Sequence, residues 1–396
     1  MNSHDFIVVA RQEWLDSVIR VRKYALAPLF MLVLASPVHG QTFDSAITNA
    51  IGTTTVMPAN GLACTTGTPT GNLAIICNGI PTLQGTASSG STTALSAERV
   101  IAEERKAERL IGPVNLFASL EYERLDKDVT TFEPGYTTKT WRVAVGADYA
   151  FSDRLLAGGA LKYSEDDGTF DAGGDFKTDY YGFLLYANFA PVPKSFVNVS
   201  TGYTFTNNSI TRLASITRQG QSTQLLGAVE GDPDGNEFML ELNGGYDYNY
   251  KGFTFGPRAG LRYKRIEVDS YSETGTTGLE LIYDQQTTKS LTGVLGVFGS
   301  TAISKDWGVL VPQVNLEYLH EFEDPQRTIT FRFVDNLTAG PFFFQNDPPD
   351  RNYFNLGLGV AAVWPHGISG FLNVRSLLGY QDHSKYTITA GLRIEM

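Results

Sequence analysis

Residues 237–248 read Glu-Phe-Met-Leu-Glu-Leu-Asn-Gly-Gly-Tyr-Asp-Tyr, and this stretch decides the fold. Every second position, from Phe238 to Tyr248, is apolar, aromatic or glycine, whereas the intervening positions include two glutamates, Asn243 and Asp247. Side chains alternate between two faces along a β-strand. The run is longer than the five or six residues common in soluble sheets and matches the roughly 9–11 residues of a tilted membrane strand. It predicts a strand with one face toward lipid and one toward a wet lumen.

The same alternation recurs from residue 113 to the C-terminus and gives twelve predicted strands. Their approximate ranges are 113–124, 138–151, 154–165, 177–190, 195–208, 236–250, 253–266, 288–302, 307–323, 352–364, 369–381 and 384–396. An even strand number is the rule for single-chain bacterial barrels. The sequence therefore predicts an all-β fold, a twelve-stranded antiparallel transmembrane β-barrel over 113–396.

The connections between these strands alternate between short and long, except for the last. Two- to four-residue turns follow the even-numbered strands, and longer segments occupy about 125–137, 166–176, 209–235, 267–287 and 324–351. Outer-membrane barrels have short periplasmic turns and longer extracellular loops. This pattern predicts both orientation and compartment: a bacterial outer membrane.

Composition excludes some functions and fits this fold. The 396 residues carry a formal net charge of −11, which excludes nucleic acid as the main partner because no basic surplus exists to neutralise phosphates. The chain has 24 Phe, 19 Tyr and 40 Gly, which suit aromatic girdles and a tightly curved wall. No zinc, calcium or other metal site, and no cofactor, is predicted.

The N-terminus predicts export. Arg20, Arg22 and Lys23 precede the short apolar run 24–36, and small or modest residues reach Gly40. We interpret residues 1–40 as a secretory signal peptide cleaved after Gly40. A retained N-terminal anchor is the alternative.

Residues 41–93 are rich in Thr, Gly, Asn, Ser and Ala and predict a short, mostly irregular segment. Cys64 and Cys77 lie in it, and in an oxidising periplasm they predict one disulfide worth about 3 kcal/mol. Two free thiols are the alternative.

Residues 94–112 predict a helix that is polar on nearly every side and ends at Gly112-Pro113. Such a helix is either solvated or lies in a wet channel. We expect it to plug the lumen, with a solvated linker helix as the alternative. Its charged side chains are Glu98, Arg99, Glu103, Arg105, Lys106 and Arg109. The expected lumen-lining charges opposite them are Arg142, Glu241, Arg258, Arg262 and Glu317.

Five segments of the predicted barrel carry a family resemblance: 257–263 (PRAGLRY), 271–275 (YSETG), 290–296 (SLTGVLG), 312–322 (PQVNLEYLHEF) and 390–393 (AGLR). In this order and at these spacings they resemble the autotransporter β-domain family, and the resemblance covers residues ~95–396. The last residues, with Gly391, Ile394 and Met396, resemble the C-terminal signal read by the barrel-assembly machinery. Met396 stands where an aromatic residue is usual, and the segment before the barrel is far shorter than the family's usual passenger.

The resemblance implies an autotransporter-type barrel that inserts itself and exports or displays its short N-terminal segment. It also implies outer-membrane lipid, the barrel-assembly machinery and periplasmic chaperones as partners, and a monomer. A porin-like diffusion channel is the alternative. An enzyme is not expected, because the sequence has no Gly-x-Ser-x-Gly elbow or His-Glu-x-x-His helix and few histidines, of which His320 falls within a strand.

Overall fold

The computed structural model describes residues 54–56, 64–66, 76–77, 114–130, 133–152, 154–192, 194–216, 224–323, 328–335, 337, 340–365 and 367–395. The predicted signal peptide 1–40, most of the segment 41–93, the predicted helix 94–112 and Met396 lie outside these residues. Within the described ranges, no helix is long and apolar enough to cross a bilayer.

Twelve long strands form the body of the described chain. They are β1 (Val114–Lys127), β2 (Tyr136–Ser152), β3 (Leu155–Phe170), β4 (Gly174–Phe189), β5 (Ser195–Ile216), β6 (Asp234–Tyr246), β7 (Phe253–Val268), β8 (Gln286–Thr301), β9 (Gly308–Glu321), β10 (Asn352–Val363), β11 (Ile368–Leu378) and β12 (His383–Glu395).

These strands close into a barrel. Each pairs antiparallel with its neighbour in the sequence, and β12 pairs back with β1 from His383↔Lys127 to Glu395↔Asn115. Closure gives every strand two partners, so no row of backbone amides is left at an edge. The prediction of a closed twelve-stranded antiparallel barrel is confirmed.

The strands extend further at the long-loop end than the alternation pattern predicts. The expected long loop 166–176 is a tight hairpin, in which Gly173 and Gly174 have φ angles of 91° and 101° that favour glycine. The rings of Phe170 and Phe176 stack across it at 4.9 Å. Similarly, β5 continues past residue 208 and pairs with an added strand, Gln224–Gly231. Cross-strand pairing thus outweighs the polar composition of these loops.

The outer surface is an apolar band between two aromatic girdles. On β2, Trp141 and Tyr149 mark the two girdles and the exposed Val143 and Val145 lie between them. Trp141 and Tyr149 are eight residues apart. At 3.3 Å per residue and a strand tilt of ~40°, the two girdles are therefore about 20 Å apart along the barrel axis. The girdle at the long-loop end contains outward-facing Tyr122, Trp141, Tyr163, Tyr181, Phe205, Phe238, Tyr263, Tyr318, Phe354 and Tyr386. This spacing suits a bilayer core.

Short strands flank the barrel. At the short-turn end, Tyr248–Tyr250 pairs with the start of β7, and Ile303–Lys305 pairs with the start of β9.

The described residues of the N-terminal segment form a sheet of their own. Its three antiparallel strands are Thr54–Val56, Cys64–Thr66 and Ile76–Cys77. Its register places Cys64 opposite Cys77, so the backbone is compatible with the disulfide, which stays a prediction.

Candidate functional site: lumen wall, seam and cap

The inner wall of the barrel is polar and charged. Inward positions alternate with the lipid-facing ones, so Glu241 is buried between exposed Leu240 and Leu242. The five charges expected to line the lumen are all buried there, at 4% exposure or less. A closed wall of paired charges surrounds the barrel interior.

The expected lumen charges have defined partners on neighbouring strands. Arg262 on β7 lies 3.1 Å from Glu241 on β6. Arg258 pairs with Asp247, and its guanidinium lies 4.9 Å from the centroids of two aromatic rings, Phe196 and Phe298. Glu317 on β9 faces Gly296 and Asn355 in register. Pairing offsets part of the cost of burying these charges.

A second set of inward charges crosses the seam where the last strand meets the first. The two terminal guanidinium nitrogens of Arg393 on β12, Nη1 and Nη2, donate to Asp148 on β2 at 2.8 Å each. The amide of Asn115 on β1 donates to the same carboxylate at 2.6 Å, and the hydroxyl of Tyr186 on β4 donates at 2.8 Å. One buried carboxylate therefore ties together four strands, including the first and last. These four residues are the seam network.

A second set of side-chain hydrogen bonds lies further along the same seam. Arg142 on β2 donates to Glu121 at 2.9 Å and to Glu123 at 3.3 Å, both on β1. From β12, Thr389 donates to Glu121 at 2.7 Å and Thr387 donates to Glu123 at 3.2 Å. The carboxylates of β1 are thus bound from both neighbouring strands. The seam is fastened by side chains as well as by the backbone ladder.

The charged residues of the predicted plug helix lie outside the described part of the chain, so their pairing with the wall stays a prediction. His320 faces outward on β9, where its Nδ1 lies 2.8 Å from Asn352 Oδ1 and its ring packs against Phe322. His383 Nδ1 lies 2.9 Å from the carbonyl of Gln381. Among the described residues, no group of three His, Cys, Asp or Glu side chains is placed to hold a metal ion.

The expected assembly signal has two described members on opposite faces of β12. Ile394 is exposed on the lipid side. Gly391 faces inward beneath the ring of Phe371 on β11, and a Cβ at this position would meet that ring at 2.4 Å. Phe371 in turn packs against the buried Val311 and Ala361. The glycine is therefore required by the packing of an aromatic ring over it.

Replacing Gly391 by alanine is expected to destabilise the folded barrel by about 1–2 kcal/mol, because the added methyl group overpacks the site under Phe371. The measurement is the urea midpoint of the heat-sensitive folded band on gels. Gly299→Ala is the matched control, since its Cβ would meet only Val314 at an ordinary 3.6 Å. Equal midpoints for the two variants would contradict this packing explanation.

Four strands form a separate sheet at the long-loop end, the cap sheet. Tyr271–Ser272 and Leu281–Tyr283 come from the loop between β7 and β8, and Thr328–Phe333 and Phe342–Gln345 come from the loop between β9 and β10. Backbone bonds between Glu230 and Thr274, 2.8 and 2.9 Å long, join the end of the first cap strand to the added strand Gln224–Gly231. The two loops thus fold as one unit.

The cap sheet packs inside the mouth of the barrel. Tyr271, Leu281, Tyr283, Ile329 and Phe331 of the cap share one buried cluster with inward-facing residues of ten barrel strands. Those barrel residues are Leu125, Tyr136, Phe170, Phe176, Ile210, Val268, Val294, Leu319, Tyr353 and Leu377. The inner wall changes from polar to apolar where it meets the cap, so the cap fills the outer mouth.

One buried ion pair fastens the cap to the wall. Arg212, on the extension of β5, donates to the two carboxylate oxygens of Glu273 at 2.6 and 2.5 Å, and to the carbonyl of Leu279 at 2.7 Å. Burial opposes the charge of Arg212, but its hydrogen bonds to Glu273 and the nearby charges outweigh burial and raise its pKa. Burial also raises the pKa of Tyr271 and of Tyr283. Arg212 therefore stays charged at neutral pH.

The alternation pattern does not predict the cap sheet. The run Thr328-Ile-Thr-Phe-Arg-Phe333 alternates with period two and is a usable signal, but it falls within the predicted long loop 324–351. Leu281–Tyr283 is only three residues long, too short for its periodicity to be diagnostic.

Comparison with known proteins identifies the family to which the barrel belongs. The family described as Autotransporter beta-domain matches residues 116–375. Outer membrane protein B of Rickettsia prowazekii is 28% identical over 311 residues, which cover 76% of this chain and 18% of that protein. The chain therefore spans less than a fifth of the length of this relative. Esterase EstA of Pseudomonas aeruginosa is 28% identical over 137 residues, or 33% of this chain and 20% of that protein.

Two solved structures share the architecture. The translocator domain of autotransporter NalP from Neisseria meningitidis superposes with a TM-score of 0.57 at 16% identity, covering 78% of this chain and all of that one. The beta domain of the Bordetella autotransporter Brka gives 0.50 at 15% identity, covering 72% of this chain and all of that one. At these identities the likeness supports the fold alone.

Proposed function

The chain belongs to the autotransporter β-domain family and is a bacterial outer-membrane β-barrel, and from this premise we propose that it inserts itself and displays its short N-terminal segment at the cell surface. The observation that carries the proposal is the capped barrel, in which a charged lumen wall ends at an apolar mouth filled by the cap sheet. Such a barrel suits a translocator that closes after use.

Barrel closure is the driving step in this mechanism. In lipid, an unpaired backbone amide costs several kcal/mol, so pairing β12 with β1 strongly favours the inserted state. The seam network adds side-chain contacts between the same strands. Insertion of the barrel would thereby carry the N-terminal segment into or through the lumen.

The inner wall suits a polar, extended or helical chain in transit. Its buried carboxylates and guanidinium groups, among them Glu121, Arg142 and Glu241, alternate in sign around the barrel. A helix bearing charges of both signs, as predicted for 94–112, can exchange partners along such a wall. The cap is built from loops, so it can move without breaking any pairing between barrel strands.

We propose that this function is not enzymatic. His320 lies on the lipid-facing surface in contact with Asn352 and Phe322, where no substrate in the lumen could reach it. Esterase EstA of Pseudomonas aeruginosa matches a third of the chain, and its activity is a property of that protein. The refolded protein is expected to hydrolyse neither esters nor peptides.

A porin-like diffusion channel is the second candidate, and the polar wall favours it. The cap sheet opposes it, because a channel needs an open outer mouth. Purified protein in planar bilayers separates the two: a capped translocator is expected to give little steady current, whereas a diffusion channel gives a large one.

The display proposal predicts that Cys64 and Cys77 are accessible from outside the cell. After mild reduction, a membrane-impermeant maleimide is expected to label wild type in intact cells, and the double variant Cys64→Ser/Cys77→Ser provides the background. Without reduction, labelling is expected to be weak, because a disulfide blocks both thiols.

The same labelling experiment separates the alternatives. Labelling only after the outer membrane is permeabilised would place the segment in the periplasm and favour the channel. Strong labelling without any reductant would instead show two free thiols and overturn the disulfide while leaving display intact.

A further inference from the structure

The outside of the barrel carries two matching pairs of basic residues just beyond the aromatic girdle at the long-loop end. Arg124 on β1 lies directly opposite Lys139 on β2, and Arg265 on β7 lies directly opposite Lys289 on β8. All four side chains point outward, one outward position beyond Tyr122, Trp141, Tyr263 and Leu291, respectively. We name them the first and second basic pairs.

The two pairs are built alike. In the first, Arg124 donates to Asp126 two residues on, at 2.9 and 3.0 Å, and Asp126 faces Thr137 in register. The second repeats this plan: Arg265 pairs with Glu267 two residues on, and Glu267 faces Thr287. The β1–β2 and β7–β8 hairpins are six strands apart in a ring of twelve, so the pairs lie on opposite sides of the barrel.

Like charges directly opposite one another destabilise a sheet. Each pair contains a lysine, Lys139 or Lys289, that is exposed and has no carboxylate within ion-pair distance among the described residues, although Asp167 faces Lys139 in register. The carboxylate beside each arginine fixes its guanidinium and still leaves N–H groups for another acceptor, since arginine has five. A second anion at each pair would offset the remaining repulsion between the arginine and the lysine.

The position of the pairs identifies that anion. Aromatic girdles mark the level of the lipid headgroups, and these pairs stand one step outward from it. Headgroups at this level carry phosphates, which arginine binds through planar forks and lysine through its point charge. We propose that each basic pair binds a phosphate of a phosphorylated lipid headgroup in the outer leaflet, giving the barrel two opposed lipid sites.

The test uses the full-length protein refolded in phosphatidylcholine vesicles with increasing fractions of diphosphorylated lipid A. The wild-type protein is expected to unfold at a higher temperature as lipid A is added, followed by the heat-sensitive gel shift. In Lys139→Gln/Lys289→Gln, each site loses one charge, and the lipid A fraction for half the effect is expected to rise about fivefold. Lys139→Arg/Lys289→Arg should keep the wild-type response.

The matched control is Lys251→Gln/Lys305→Gln, which removes the same charge from exposed positions at the short-turn end. It should respond to lipid A as wild type does. The proposal is overturned if the Lys139/Lys289 glutamine variant keeps the full response, if the control loses as much, or if inorganic phosphate with lipid A-free vesicles gives the same stabilisation.

Discussion

Replacing Asp148 by asparagine is expected to destabilise the barrel by about 3 kcal/mol or more. The carboxylate accepts two hydrogen bonds from Arg393, one from Asn115 and one from Tyr186. An amide at this position turns an NH₂ group toward these donors and removes the negative charge of Asp148 from beside the buried guanidinium. Breaking a buried pair by removing one partner typically costs about 3–5 kcal/mol.

The measurement is the urea midpoint of the folded band in lipid vesicles. Glu165→Gln is the matched control, because it removes the same charge from an exposed pair with Lys177, 2.9 Å away. Exposed pairs are worth about 0–1 kcal/mol, so this control should differ little from wild type.

A double variant decides whether the seam contact itself is responsible. If Asp148 and Arg393 act as a pair, Asp148→Asn/Arg393→Gln should cost clearly less than the sum of the two single variants. Strict additivity would show that each side chain matters separately, and the seam network would then not be a coupled unit.

Replacing Arg212 by glutamine is expected to release the cap and raise the conductance of the barrel through the space left around the predicted lumen helix 94–112. The buried Arg212–Glu273 pair joins the wall of β5 to the cap sheet, and its loss costs the closed state about 3 kcal/mol. A shift of that size raises the population of an open state about a hundredfold. Because the cap consists of loops, the twelve strand pairings should survive and the protein should still fold.

Single-channel recording in planar bilayers measures this effect as the fraction of time spent open. Arg332→Gln is the control: it breaks an ion pair of the same cap sheet, Arg332–Asp284 at 2.7 Å, that is partly exposed on both sides. Its open fraction should remain near that of wild type. A large steady current already present in the wild-type protein would contradict closure by the cap and favour the diffusion channel.

The sequence alone is sufficient to predict the barrel, because the alternation of apolar and polar residues is a local pattern that recurs in every strand. A period of two sorts every strand residue onto one of two faces, so Glu241 and Arg262 could be placed inside and Leu240 and Leu261 outside from the alternation alone. The strand count followed from repeating this pattern. Strand ends were less accurate, as the hairpin at Gly173 shows, because loop composition there says little about pairing.

The seam and the cap were decided only by the tertiary structure. Asp148 and Arg393 are 245 residues apart in the chain, and no local pattern selects one carboxylate from many as the partner of one guanidinium. Leu281–Tyr283 becomes a strand because closing the barrel brings the two long loops together over an apolar ring of inward residues. Alternation fixes which way a side chain points, but its partner depends on the register and closure of the whole sheet.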